Sequence, residues 1–238
     1  MSEFLTAQWR YLAMLHYAIE PEILKPLVPE GTELDLWQDQ VAYVGLVGFR
    51  FLATRVMGLS IPLHRDFTEV NLRFYVRRRA EDGVRRGVVF IRELVPQPAI
   101  AWAARLAYNE PYRTVPIRHE VPGEGMAGRY RYEWHNGGDW EGLTLTARPP
   151  GRPMANGSVE EFLVDRAWGY TRQRDGGTIE YHVRHPRWLL WTAGDVSLDC
   201  SVTRYYGPEF VPALSRPPEL AYVADGSEVT VSAGVRIT

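Results

Sequence analysis

The chain has 238 residues, of which 45% are hydrophobic, 24% charged and 12% aromatic; it can bury a large core and lies far from disordered or collagen-like compositions. The formal net charge is −2 and the basic residues are spread along the chain, so no polybasic field is available for a nucleic-acid backbone. Apolar runs stop far short of the roughly 20 residues of a spanning helix, and the amino-terminal residues lack the pattern of a secretory signal. Cys200 is the lone cysteine, which excludes an internal disulfide framework and a cysteine-rich zinc site and fits a cytoplasmic protein.

Short alternating or doubly apolar runs bounded by Gly, Pro, Asn and Asp predict strands over residues 9–19, 41–53, 69–78, 87–95, 114–120, 129–135, 143–148, 168–174, 179–184, 190–202, 219–224 and 229–237. Three helices are predicted among them. Residues 21–28 open on Pro21 and put Ile23, Leu24 and Leu27 on one side, so Lys25 points to water. Residues 98–107 are apolar nearly all round and carry Arg105. Residues 158–166 begin with Ser158 followed three positions later by Glu161, a capping box. The proline- and glycine-rich stretch 147–157 reads as a surface loop within one domain covering 1–238, because strand signals continue on both sides.

Two features stand out chemically. From Glu69 to Arg77 polar and apolar residues alternate without a break: Glu69, Asn71, Arg73, Tyr75 and Arg77 share one strand face, and Val70, Leu72, Phe74 and Val76 the other. The pattern itself is satisfied by a polar face in water over a core-facing apolar one. Arg105 is the second feature, because an arginine in an apolar helix needs a salt bridge, a path to solvent or a ligand. With Tyr112 and Arg113 it can present two guanidiniums and a phenol to a small carboxylate or enolate. The six histidines are scattered; His182 and His185 fall on opposite faces of a strand, matching no zinc signature, while His16 and His185 are candidates for a pocket acid or base. No metal or cofactor is expected.

The succession WRYLAMLHYAIEPEILKPLVPEG, AYVGLVGFRF, FTEVNLRFYV, GVVFIRELV, AWAARLAYNEPYR, EEFLVDRAWGYT and HPRWLLWTA resembles the YqjF-like family of bacterial proteins and, at superfamily level, acetoacetate decarboxylase. The resemblance implies a mainly β (α+β) fold, an acetoacetate decarboxylase-like antiparallel β-barrel with a few short helices whose interior holds the site. It aligns Glu69 with an active-site glutamate, which would turn the polar face inward beside Arg73. It also implies that the Schiff-base lysine is missing, since Tyr112 and Arg113 stand where two lysines would be. Neither group can replace it: arginine keeps its proton, and a phenol forms no imine. Lys25 is the single lysine among 27 basic residues and sits on the predicted surface helix.

These residues point to binding of a small organic anion or polar metabolite in an arginine-lined pocket, with His16, Asn71, Arg73, Arg105 and Arg113 as contacts. The alternative is a lyase, hydratase or isomerase working on a keto acid by acid–base chemistry, with Glu69 and Tyr112 as catalytic groups. A filled barrel with a structural role is the third reading. A homo-oligomer is compatible with all three; nucleic acid and membrane are not expected as partners.

Overall fold

The computed structural model describes residues 2–135 and 137–238, with the side chains of residues 103–107 outside the described set. Fourteen strands are found among these residues. They are β1 (Glu3–Ile19), β2 (Glu33–Leu34), β3 (Ala42–Val56), β4 (Phe67–Ala80), β5 (Gly83–Val95), β6 (Tyr112–Thr114) and β7 (Ile117–Glu120), followed by β8 (Gly128–His135), β9 (Trp140–Pro153), β10 (Trp168–Arg172), β11 (Thr178–Arg184), β12 (Leu189–Asp199), β13 (Leu220–Ser232) and β14 (Val235–Arg236). The helices are short: α1 (Pro21–Leu24), α2 (Pro98–Tyr108), α3 (Val159–Val164), α4 (Val202–Tyr205) and α5 (Val211–Leu214). None is long and apolar enough to cross a membrane.

Strands β11, β10, β5, β4, β3, β1 and β13 pair in that order, and β13 pairs back onto β11 through Val183↔Val231 and Arg184↔Thr230, so the sheet is ring-like. A second arm, β12–β9–β8–β7, leaves the ring at β13. Its Tyr130, Tyr132, Trp134 and Leu145 pack with α4 and α5 over the outer apolar face of β4, where Val70, Leu72 and Phe74 are fully buried. The inner side of the ring carries a second apolar cluster that includes Met14, Phe49, Phe51, Trp188 and Val229. The mainly β class with few short helices therefore stands as the resemblance implied.

Some boundaries differ from the sequence reading, for local reasons. Residues 219–224 and 229–237 are not two strands; β13 runs through Asp225 and Gly226. The pair looks like a turn, but Gly226 adopts φ +76° opposite Arg10, and a Cβ there would lie 2.0 Å from the Trp9 carbonyl oxygen. Residues 147–153 are not loop but the end of β9, paired with β12 up to Pro153↔Leu189; the register shift between Leu190 and Thr192 accommodates the prolines. Predicted strand 114–120 is split into β6 and β7, and strand 190–202 stops at Asp199 before α4. Ser158 caps α3, its Oγ accepting from the Glu161 N–H at 3.2 Å, while the Glu161 carboxylate accepts from the Gly157 N–H at 2.7 Å, one residue before the position the capping box predicts.

Candidate functional site

Inside the ring lies a cavity of about 290 Å³. Strand β4 turns its polar face into it: Glu69, Asn71 and Arg73 line the wall, and Tyr75 on the same face is buried beside them. Pairing places β5 and then β6 next to β4, with Asn71 opposite Glu93 and Glu93 opposite Tyr112, so three polar groups stand in a row across three strands. The Tyr112 hydroxyl donates to Glu69 Oε2 at 2.9 Å, and the Asn71 amide donates to Glu69 Oε1 at 2.9 Å. Both oxygens of the carboxylate are thereby held.

Glu93 reaches the cavity through a bulge. Strict alternation would put Phe90 and Glu93 on opposite faces of β5, but the register with β4 shifts between Leu72↔Arg92 and Arg73↔Phe90, and both side chains face inward. Glu110 comes from the turn after α2, where Asn109 takes φ +58°. Its Oε1 accepts from Thr171 Oγ1 at 2.6 Å and from the Tyr181 hydroxyl at 2.8 Å. The second oxygens of Glu93 and Glu110 are buried with no hydrogen-bond partner among the described residues.

Three buried carboxyls therefore converge. Burial pushes Glu69 up to about 7, against the opposing pull of Asn71, Tyr112 and Arg73. Glu110 is pushed up to about 7 by burial, with the charge of Glu69 adding to it against the hydrogen bonds from Thr171 and Tyr181. Glu93 is raised well above the usual carboxylate range by burial and by both neighbouring carboxyls. Tyr112 is raised as well, first by burial and then by the charge of Glu69.

Among the described residues, the guanidinium groups on the wall are those of Arg73 and Arg166. Arg73 makes no salt bridge among the described residues, and its buried Nε has no hydrogen-bond partner. Arg166 is held by Asp35 Oδ2 at 2.5 Å and by the Phe162 carbonyl at 2.5 Å, with its guanidinium over the Tyr75 and Phe162 rings. Its Nη2 is buried without a partner. Asp35 is 131 residues away in sequence, so nothing local announces the pair.

The other residues singled out from sequence fall in different places. Arg113 points away from the cavity, donating to the Arg204 carbonyl at 3.2 Å and stacking over Tyr205. Its neighbour Tyr112 faces the other side of the same short strand and takes the inward position. Arg105 lies outside the described side chains. His16 is fully buried behind the wall near Tyr75 and Tyr222, and burial together with Arg73 lowers its pKa to about 3, so it is a neutral ring. His185 lines the cavity, stacked on Trp188 at 4.1 Å. Lys25 is exposed and paired with Glu22. The polar wall is thus rich in carboxyls, which the expectation of an arginine-lined pocket did not include. Most of the remaining lining is aromatic or aliphatic.

Solved structures share this architecture. An acetoacetate decarboxylase from Legionella pneumophila covers 100% of this chain and 88% of its own, with a TM-score of 0.68 at 13% identity. The enduracididine biosynthesis enzyme MppR in complex with pyruvate gives a TM-score of 0.69 at 12% identity over 100% of this chain and 91% of its own. An acetoacetate decarboxylase-like enzyme from Sphingomonas wittichii gives 0.67 at 14% identity over 100% and 94%. In sequence the chain is 28% identical over 214 residues to the uncharacterized protein YqjF of Bacillus subtilis, covering 87% of this chain and 84% of the other. Residues 6–228 match the family DUF2071, uncharacterized conserved protein, and the chain belongs to that family on an acetoacetate decarboxylase-like fold.

Proposed function

We propose that this chain binds a small keto acid or related carbonyl compound in the cavity and moves a proton on it by acid–base chemistry, without an imine. The observation that carries the reading is the Tyr112–Glu69 hydrogen bond of 2.9 Å inside the cavity, on a carboxyl pushed up to about 7. A carboxyl in that range is present in both protonation states near neutral pH, as a general acid or base requires. Arg73, half-buried and without a salt bridge among the described residues, suits the carboxylate of the ligand or the oxyanion that forms on its carbonyl.

In this step the C–H bond next to the carbonyl breaks and its proton forms an O–H bond on Glu69. The electron pair moves to the carbonyl oxygen, where the Arg73 guanidinium stabilises the enolate. Tyr112 and Asn71 hold the carboxylate in line. The lone amine side chain does not take part: Lys25 is exposed on the surface and salt-bridged to Glu22.

Binding without turnover is the second reading, favoured by the Arg73 Nε, which is buried with no hydrogen-bond partner among the described residues. Incubation of a keto-acid panel in D2O, followed by proton NMR, separates the two. Acid–base chemistry predicts loss of the proton signal next to the carbonyl, slowed at least 100-fold in Glu69→Gln, together with thermal stabilisation by the ligand. Stabilisation without exchange would leave binding alone, and no response of either kind across the panel overturns both.

A further inference from the structure

The interior positions of the ring grade from polar to aromatic along the strands. On β4 the inward series runs Arg73, Asn71, Glu69, Phe67, and on β3 the partners of Glu69 and Phe67 are Phe49 and Phe51. Trp9 of β1 pairs with Phe51. The rings form one connected surface: Phe51 stacks on Phe67 at 4.4 Å, Trp9 meets Phe49 at 5.4 Å and Phe51 at 5.6 Å, and Trp188 joins Trp9 at 6.4 Å. This aromatic wall begins at the pair next to Glu69 and continues to the loop between β3 and β4, where Ile61 lines the cavity and Met57, Leu59 and Leu63 are exposed.

We propose that the substrate class is a keto acid, or a related carbonyl compound, with an aromatic or branched hydrocarbon side group, and not a three- or four-carbon keto acid. This deepens the acid–base reading of the same site and rests on it. The volume of about 290 Å³ is that of the smaller drug-sized pockets, and a three-carbon acid gripped by Arg73 would leave the ring surface unfilled. A phenyl or isopropyl group on the carbon next to the carbonyl reaches the aromatic wall directly, because Phe49 stands opposite Glu69. Burying such a group tightens binding by about 10- to 100-fold.

The test is a titration of the intact wild-type chain with pyruvate, 4-methyl-2-oxopentanoate and phenylpyruvate, by calorimetry and by quenching of tryptophan fluorescence. The expected result is affinity at least 10-fold higher for the two larger acids than for pyruvate, with quenching by phenylpyruvate. Ile61→Ser, which removes apolar surface without adding charge, is expected to weaken phenylpyruvate about fivefold or more and pyruvate by a clearly smaller factor. Equal or tighter binding of pyruvate, or no binding by any of the three, overturns the inference. Deuterium exchange in the same samples keeps the two claims apart. Selective binding of the larger acids without exchange upholds the side-group preference and overturns the acid–base step. Exchange that is as fast at low concentration for pyruvate as for phenylpyruvate overturns the preference and upholds the step.

Discussion

Glu69 is the residue on which the proposed acid–base chemistry turns, and its protonation is set by opposing local forces. Burial raises it, while the amide of Asn71 and the hydroxyl of Tyr112 stabilise the ionised form. Removing the hydroxyl in Tyr112→Phe takes away one donor to the carboxylate, so the midpoint of Glu69 is expected to rise by about one unit above its value near 7. The pH dependence of deuterium exchange checks this: the alkaline rise in rate should move to higher pH, and an unmoved profile would show that the bond does not act on the reacting carboxyl. Glu69, Asn71 and Arg73 were legible as one polar face because β4 runs without a bulge through them, so period-two alternation survives. Whether that face met water or a cavity was not legible, since both satisfy the same pattern.

Bulges decide which side chains a strand delivers to the interior. In β1 the inward residues are Ala7 and Trp9, then Leu12 and Met14, because Tyr11 takes φ +60° and the register with β3 shifts between Arg10 and Ala13. The shift in β5 brings Glu93 inside in the same way. Neither is encoded by a glycine or proline at the site, so a reading by alternation misses Glu93 altogether. Gly226 in β13 is the opposite case, a glycine that reads as a turn but permits a close approach within a continuous strand. Gly226→Ala should be destabilising by at least ~2 kcal/mol, from positive φ and from contact with the Trp9 carbonyl, lowering Tm by on the order of 5 °C or more. Differential scanning fluorimetry measures it, and a Tm within a degree of wild type would contradict the close packing of β1 on β13.

Across the whole molecule, the converging carboxyls tie stability to pH. Glu69 and Glu110 have pKa values raised from 4.5 to about 7, and Glu93 is raised further, so the folded chain holds these protons over a range in which the unfolded chain has released them. Their contribution to stability is complete below about 4.5 and is lost as pH rises through about 7. Tm is expected to fall by several degrees between pH 5.5 and 8, and Glu110→Gln, which keeps an oxygen for Thr171 and Tyr181, should flatten that fall. An identical slope in the variant would refute the coupling. Sequence alone determined the mainly β class, the capped helix, the polar face of β4 and the lack of an interior amine, because each depends on residues adjacent in the chain or on composition. Only the tertiary structure decided that the polar face lines a cavity, that Glu93 and Glu110 join Glu69 there, that Arg166 lines it while Arg113 faces away, and that the wall beyond is aromatic. These depend on strand register, on a bulge and on partners far apart in sequence, such as Asp35 and Arg166, which meet only when the sheet curls back on itself.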